Sequence, residues 1–401
     1  MKLPRVAIVS DLREERWHSM DLVAEMLLLN LNAPDLRLVE PAELRPAMVR
    51  RLTRLPLAGR GHFAETADRI INRVWDYPRW LAARREDFDI FHVVDHSYAH
   101  LVTGLPSGRA VVTCHDLDAF QGVLPGSRGG SFVSRALGRR LLEGLQAAAR
   151  IVCVSQARRD ELISYDVVPA SRISVIPNGV HPTCSHRQDA RADREAADLL
   201  GPEDPRSVEL LHVGSTIARK RIDVLLETVA ALRRTRPGVR LIRIGDTFTP
   251  AQQRQVRRLG LGDAVTVLPF VDRRVLAAVY RRATLLLQPS EREGFGLPVA
   301  EAMACGTPVV ASAISALEEV GGRAASYCPV GDVPAWVAAV SELIDERVEA
   351  PGDWTTRCAA GLVQSRRFSW REHARRMTQL YCALLPHIVR RDDHDRLVAS
   401  Q

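Results

Sequence analysis

Short apolar runs of strand length alternate with longer amphipathic stretches through most of the chain. "RVAIVS" (5–10), "DIFHVV" (89–94), "AVVTCHD" (110–116), "RIVCVS" (150–155) and "RISVIPNG" (172–179) predict buried strands. Helical patterns fall between them at 20–30, 134–149 and 156–165. The polar stretch "HPTCSHRQDARADREAADLLGPEDPRS" (181–207) suits a linker carrying one short helix. The alternation then restarts, with strands expected at 208–215, 239–246, 264–270, 283–290 and 307–312. Helices are expected at 222–235, 250–259, 274–282, 334–345 and 370–385. Such alternation predicts parallel α/β units.

A chain of 401 residues is too long for one ordinary core. The pattern therefore reads as two doubly wound α/β domains in series. The expected boundaries are 1–185 for the first domain, 186–207 for a linker region and 208–369 for the second, with 370–401 as a C-terminal helix. Ligands of such sheets sit beyond the carboxyl ends of the strands, so the expected site is the cleft between the domains.

Composition narrows the class. Hydrophobic residues at 46% and charged residues at 26% are those of a soluble globular protein. No run approaches the ~20 apolar residues of a membrane span. The start, "MKLPRVAIVSDLREERW", meets Asp11, Arg13 and Glu14 at once, which predicts a first strand rather than a signal peptide. Seven scattered cysteines without a CxxC predict small core residues in a reducing cytoplasm and no structural zinc.

The net charge of +7 is compatible with nucleic acid, anionic lipid or phosphorylated small molecules. Aromatic content of 5%, with no RNP-like, zinc-finger or helix-turn-helix pattern, argues against sequence-reading of nucleic acid. "RPAMVRRLTRLPLAGR" (45–60) holds five arginines and no acid among apolar residues. It reads equally as a surface for an anionic membrane or as a solvated basic face.

The chemistry concentrates in "LLLQPSEREGFGLPVAEAMACGTP" (285–308), with the order strand, loop, helix, turn, strand. Pro298 suits the first helical position and Gly306 the position past the helix end, so a short helix is expected at 298–305. Gly294 and Gly296 let a ligand approach the backbone in front of it. A helix N-terminus is an anion site suited to phosphate. Helical side chains lean toward the N-terminus, so Glu301 reaches back to the same mouth, while Glu293 lies on the loop. Two carboxylates beside a phosphate site need hydroxyl groups to bind. A ligand with a diphosphate and two polyhydroxylated rings, a nucleotide sugar, meets both demands. Taken singly, Glu301 also reads as a carboxylate stabilising the helix N-terminus, and Glu293 as a solvated loop acid.

This segment closely resembles the donor-binding motif of the retaining glycosyltransferases of family 4, which have the two-domain GT-B fold. The signature is the Glu293, seven residues, Glu301 pattern within "PSEREGFGLPVAEAMACGTPVVAS". The resemblance implies that Glu293 contacts the donor sugar and that Glu301 holds the ribose. It also implies that the amides of Gly294, Phe295, Gly296 and Leu297 bind the diphosphate. "VGSTIARKRIDVLLETVAAL" (213–232) resembles the stretch that carries a basic diphosphate clamp, with Gly214 and Ser215 in the loop, Lys220 as the best match and Arg219 beside it. "VTCHDLDAF" (112–120) resembles the segment whose histidine, here His115, lies by the donor sugar. A satisfied core histidine is the other reading of His115. "FSWREHARRMTQLY" (368–381) resembles the C-terminal helix that crosses back onto the first domain.

Three features depart from the family pattern. The loop after the first strand, "SDLREERWHSM", lacks the glycine pair of many members, so acceptor contacts usual there do not carry over. Ser215 stands where many members have arginine, and Arg219 is the residue left to supply a second charge. "DLD" (116–118) formally matches the Asp-x-Asp metal motif of the other large glycosyltransferase fold, but the doubly wound duplicate argues against that fold.

The expected fold is thus α/β, GT-B, with two doubly wound Rossmann-like domains facing a central cleft. The expected function is retaining transfer of a hexose from a nucleoside diphosphate sugar, first a UDP- or GDP-hexose, to a glycan, lipid-linked or small-molecule acceptor. No metal or other cofactor is expected. The expected location is the cytoplasm, with the membrane's inner face as an option. A GT-B nucleotide-sugar epimerase and a catalytically weak nucleotide-sugar-binding subunit are the alternatives.

Overall fold

The protein is described here by a computed structural model that covers residues 3–54, 62–120, 122–124, 132–202, 204 and 207–399. Residues 55–60 of the basic stretch lie outside the described residues. The chain divides into two compact units, Met1–Gly179 with Trp370–Gln401, and Val180–Ser369.

The first unit is built on six parallel strands: β1 (Arg5–Val9), β2 (Glu40–Leu44), β3 (Ile90–Val93), β4 (Ala110–Cys114), β5 (Arg150–Cys153) and β6 (Ile173–Val175). Their order in the sheet is β2-β1-β3-β4-β5-β6. Helices α1 (His18–Leu31), α2 (His62–Ile71), α3 (Tyr77–Ala82), α4 (Phe132–Ala147) and α5 (Gln156–Ser164) make the connections, and a π-helical turn at Asn72–Asp76 joins α2 to α3. β3 and β4 are buried at every position, as apolar runs covered on both faces must be. Edge strand β2 reads "EPAEL". Its proline and two glutamates hide it from a hydrophobicity pattern, and an edge position tolerates both.

The second unit repeats the plan. Helix α6 (Ala190–Leu200) precedes strands β7 (Val208–Val213), β8 (Val239–Ile244), β9 (Val265–Leu268), β10 (Leu285–Gln288), β11 (Val309–Ser312) and β12 (Ala325–Cys328). Helices α7 (Ile222–Arg233), α8 (Pro250–Arg258), α9 (Arg273–Arg282), α10 (Leu297–Ala304), α11 (Ser315–Gly321), α12 (Val333–Glu349) and α13 (Pro351–Ser365) complete it. The order β12-β11-β10-β7-β8-β9 places β10 beside β7, with Leu285 opposite Leu210 and Leu286 opposite Leu211. Numbered from the unit's own first strand, this is the 3-2-1-4-5-6 order of dinucleotide-binding sheets. The polar stretch at 181–207 is built into this unit. Asp189 caps α6, whose Ala192, Ala196 and Leu200 are buried, and Asp193 pairs with Arg281 of α9.

The last helix, α14 (Trp370–Ala399), returns the chain to the first unit. Ala374, Met377, Tyr381 and Leu384 share one core with Val6, Ile8, Leu27 and Leu31. That three-four spacing is one face of a helix. The Tyr381 hydroxyl also lies 2.7 Å from Nδ1 of His92, whose Nε2 lies 2.7 Å from the Thr113 hydroxyl. Burial pushes the His92 pKa down to about 3, so this mid-strand histidine is neutral and fully satisfied. Among the described residues no helix is long and apolar enough to cross a membrane.

Each sheet has one point where the strand order reverses, β1/β3 in the first and β7/β10 in the second. Loops leaving the carboxyl ends of adjacent strands diverge there and leave a crevice for a ligand. In the second unit, Gly214 and Gly245 follow β7 and β8. A Cβ on Gly245 would sit 2.1 Å from the Gly214 carbonyl oxygen, and its φ of +135° excludes most side chains. The glycines therefore let the two strand ends close on each other, and the Gly214 N–H donates to Ile244.

Candidate active site

The apolar strand β10 ends in Gln288, and the loop beyond it carries Ser290 and Glu293. Glu293 is 7% exposed. Its Oε1 accepts from Lys220 Nζ at 2.6 Å, Gln288 Nε2 at 2.6 Å and Ser290 Oγ at 2.8 Å. Its Oε2 faces Arg219 Nη1 at 3.4 Å. Burial works against the charge of this carboxylate. The Lys220 ammonium and the Arg219 guanidinium, with the hydrogen bonds from Lys220 and Ser290, outweigh it and hold the pKa below the usual range.

Lys220 and Arg219 come from the other side of the strand-order reversal. They sit in a 3-10 turn, Ala218–Lys220, between β7 and α7, closed by Arg221 in the left-handed region at φ 49°. The Glu291 N–H donates to the Arg219 carbonyl at 2.9 Å, and Arg219 Nη1 donates to the Arg292 carbonyl at 3.0 Å. Backbone and side chain thus lock the two loops together. Below them lie His212, buried and pushed to a pKa of about 3 by desolvation, and Arg243, which donates to the carbonyls of Gly214 and Asp246. Ser215 is half-buried beside them.

The Gly-rich loop continues into α10. Gly296 is its N-cap at φ 97°, and a Cβ there would meet Leu317 Cδ2 at 2.6 Å. The requirement for glycine at this position thus arises within the unit. Pro298 occupies the second helical position rather than the expected first, and no side chain caps the helix. Phe295 turns inward, edge-on to Phe368 with ring centroids 5.3 Å apart, so its ring is packed within the unit. Gly294 and Leu297 flank this turn, and Gly306 ends the helix at φ 85°.

Glu301, on the first turns of α10, has the opposite electrostatics. It is also 7% exposed, and its Oε2 accepts from the Tyr280 hydroxyl at 3.0 Å. Burial raises its pKa to about 7, against the smaller effects of that bond and of Arg273. Two acids eight positions apart are therefore held in opposite states: Glu293 ionised and paired, Glu301 poised to lose its proton near neutrality.

His115 belongs to the first unit, just past the end of β4. It is buried, its Nε2 lies 2.8 Å from the Val94 carbonyl, and burial lowers its pKa. Beside it His96 lies between Asp95 (Nδ1 to Oδ1, 3.0 Å) and Asp116 (Nε2 to Oδ1, 3.2 Å). Burial disfavours the charged ring, but the two carboxylates carry its pKa up to about 10. A charged His96 donates from Nδ1 to Asp95, so the His115 N–H 3.3 Å from that atom is a contact rather than a hydrogen bond. Asp116 also accepts from the Asp118 N–H, which turns the "DLD" segment on itself. Among the described residues no group of three or more His, Cys, Asp or Glu is placed to hold a metal ion.

Sequence reasoning missed Gln288, Ser290 and Tyr280. The first two had a visible signal, a polar residue closing an apolar strand and a hydroxyl three before a glutamate. Tyr280 had none, because its partner lies on another helix.

Two doubly wound six-stranded parallel sheets, the second carrying a basic turn, a glycine loop and a short helix at its strand-order reversal, define the GT-B class. Two family models match: Glycosyltransferase Family 4 over residues 33–183 and glycosyl transferases group 1 over residues 207–346. A D-inositol 3-phosphate glycosyltransferase of Xylanimonas cellulosilytica is 31% identical over 318 residues, 75% of this chain and 68% of that protein. One from Segniliparus rotundus is 33% identical over 249 residues, which cover 59% of this chain and 52%, about half, of that relative's length. The chain belongs to glycosyltransferase family 4. Among solved structures, sucrose-phosphate synthase of Thermosynechococcus elongatus matches the fold with a TM-score of 0.72 at 20% identity, over 96% of this chain and all of that one. The Anabaena protein HepE, solved with UDP and glucose, matches with 0.69 at 15% identity, over 94% of this chain and 99% of that one.

The state of Glu301 gives a testable sign. Its folded pKa lies above the unfolded one, so the folded chain binds the extra proton and stability falls as pH rises from about 4.5 to about 7. The Glu301→Gln variant lacks this titration. Relative to wild type it gains on the order of 3 kcal/mol of stability between pH 4.5 and pH 8. Denaturant melts of both proteins at the two pH values check this, and an unchanged difference contradicts the buried, raised carboxyl.

Proposed function

We propose that the chain is a retaining glycosyltransferase that moves a hexose from a nucleoside diphosphate sugar, a UDP- or GDP-hexose first, to the hydroxyl of a glycan, lipid-linked or small-molecule acceptor. The observation that carries this reading is the buried Lys220–Glu293 pair at the strand-order reversal of the second sheet, beside the glycine loop and α10. The names of the relatives and the UDP and glucose bound to HepE favour a nucleotide-sugar donor.

In this reading the diphosphate takes the α10 N-terminus and the main chain of Gly294–Leu297, and Glu301 accepts the ribose hydroxyls. Negative charge grows on the diphosphate as the glycosidic bond breaks. Lys220 and Arg219 meet that charge, so the reaction proceeds without a metal. Glu293 spends Oε1 on three donors, which makes it a poor nucleophile and a well-fixed negative charge for the oxocarbenium-like sugar. Without an enzyme nucleophile, retention follows if the acceptor hydroxyl attacks from the face the diphosphate leaves and gives its proton to a departing phosphate oxygen.

An anionic inner membrane face is the second contact we infer. Phe63, Ile70 and Trp75 on α2 and the π-helical turn are 82%, 56% and 59% exposed. A groove of about 510 Å³ is lined by Ile70, Ile71, Val74, Trp75 and Arg51, whose guanidinium pairs with Asp76, and the Arg79 guanidinium stacks on Trp75. Aromatic and apolar side chains among arginines suit the headgroup layer of anionic lipid. That placement would put the protein at the cytoplasmic side of the membrane.

Three measurements test these proposals. Incubated with UDP-, GDP- and ADP-hexoses, the protein releases the diphosphate slowly without acceptor and faster with one, where a binding subunit releases none. Glu293→Gln and Lys220→Ala each lower turnover about a hundredfold to a thousandfold with a smaller change in diphosphate affinity. Wild-type turnover in both variants removes the assignment. In sedimentation with lipid, the protein pellets with vesicles containing phosphatidylglycerol and not with phosphatidylcholine alone, and Phe63→Ser with Trp75→Ser abolishes pelleting. Equal recovery in all supernatants contradicts the membrane contact.

A further inference from the structure

Arg243, on β8 beneath the Lys220–Glu293 pair, is a buried cation without an acid. Lys220 and Arg219 share the Glu293 carboxylate. The Arg243 guanidinium instead meets two main-chain carbonyls, those of Gly214 and Asp246, and lies over the Phe248 ring. Among the described residues it has no ion pair, and its buried Nε has no hydrogen-bond partner. Burial brings its pKa down to about 10 against the pull of Asp246, so the side chain is still charged at neutral pH. A buried charge without a counter-charge is costly. An anionic ligand lowers that cost, and the carboxyl ends of such strands are where this kind of sheet binds one.

Arg243 is fully buried, so its charge reaches a ligand through something else. The Gly214–Ser215 peptide is placed to pass it on. The Gly214 N–H donates to the Ile244 carbonyl at 2.9 Å, and the Gly214 carbonyl accepts from Arg243 Nη2 at 2.8 Å. Gly245 has no Cβ to obstruct that carbonyl. In a trans peptide the next N–H points opposite the carbonyl, so the Ser215 N–H faces away from Arg243. That N–H has no acceptor among the described residues, and Ser215 is half-buried. A cation on a carbonyl oxygen polarises the whole amide and strengthens its N–H as a donor. A Cβ on Gly214 would lie 4.0 Å from Lys220 Nζ, so the polarised amide and the Lys220 ammonium lie side by side. His212, near both cations, is neutral and adds no charge to theirs.

We propose that Arg243 is a positioning residue for the donor: through the Gly214 carbonyl it aims and strengthens the Ser215 N–H toward the phosphate that carries the sugar. The proposal deepens the glycosyltransferase reading and rests on it for the identity of the anion. Lys220 meets the charge that grows on that same phosphate as the glycosidic bond breaks, and the Ser215 N–H stands beside Lys220. Ser215 brings no charge of its own, and the neighbouring strand supplies one from beneath.

Calorimetric titration of the full chain tests this, with UDP, GDP and ADP as probes and the monophosphate of the tightest base as the control. Wild type binds at least one diphosphate. Arg243→Gln weakens that binding about tenfold and changes monophosphate binding by less than about twofold, because the monophosphate lacks the outer phosphate. Arg243→Lys recovers part of the loss, since it restores the charge without the planar fork. No diphosphate binding by wild type, unchanged diphosphate affinity in Arg243→Gln, an equal loss for the monophosphate, or a lysine variant no better than the glutamine variant overturns the proposal. If the variants fail to fold, hydrogen exchange of wild type decides: the diphosphate slows exchange of the Ser215 amide, and unchanged exchange overturns the proposal. Because binding is read directly, absent transferase activity would count against the proposed function and leave this result intact.

Discussion

A carboxylate in the interior of a protein is stable only when its charge is answered, and in this chain Glu293 is answered by Lys220. Removing either partner of a buried pair strands the other, at a cost of about 3–5 kcal/mol. The surrounding structure is arranged to keep the pair. Strands β7 and β10 lie side by side although residues 214–284 separate them along the chain, and their loops are tied by the Glu291–Arg219 backbone bond. Gln288 and Ser290 supply the remaining donors to Oε1, and the glycines at 214 and 245 let the strand ends close beneath.

The segment beyond β10 holds its two acids in opposite electrostatic states. Glu293 is ionised against desolvation by two cations. Glu301, bonded to the Tyr280 hydroxyl, has its pKa raised to about 7 by burial. An ion that is already paired suits a fixed charge facing a reaction. A half-satisfied carboxylate suits a group that completes its hydrogen bonds with a ligand. The first unit shows a similar division, with His96 paired on both ring nitrogens and Asp11 left with orphan oxygens.

Much of this was legible in the chain. Buried parallel strands such as β3, β4 and β10 announce themselves as unbroken apolar runs. The strands left out were β2 and β12, edge strands whose Glu40, Pro41, Ser326 and Tyr327 break the pattern because one side of each lacks a covering neighbour. The helix α10 and its glycine loop were legible from Pro298, Gly296 and Gly306, residues whose backbone demands are local. Pairings across the fold were not. Nothing in the spacing of Lys220 and Glu293, or of Tyr280 and Glu301, reveals which atoms meet, since strand order decides it. His92 in an apolar strand and Asp11 after β1 carried no sign of their surroundings either, because one meets a helix almost 300 positions away and a neighbouring strand, and the other is buried beside Asp95.

The central claim, that the second unit's site is organised around the Lys220–Glu293 pair, is tested most directly by a double-mutant cycle on stability. Wild type, Lys220→Met, Glu293→Gln and the double variant are compared by denaturant unfolding at pH 7. Lys220→Met alone strands the Glu293 charge and costs about 3–5 kcal/mol, and adding Glu293→Gln restores most of that loss. Effects of the two substitutions that add within about 0.5 kcal/mol would contradict the account.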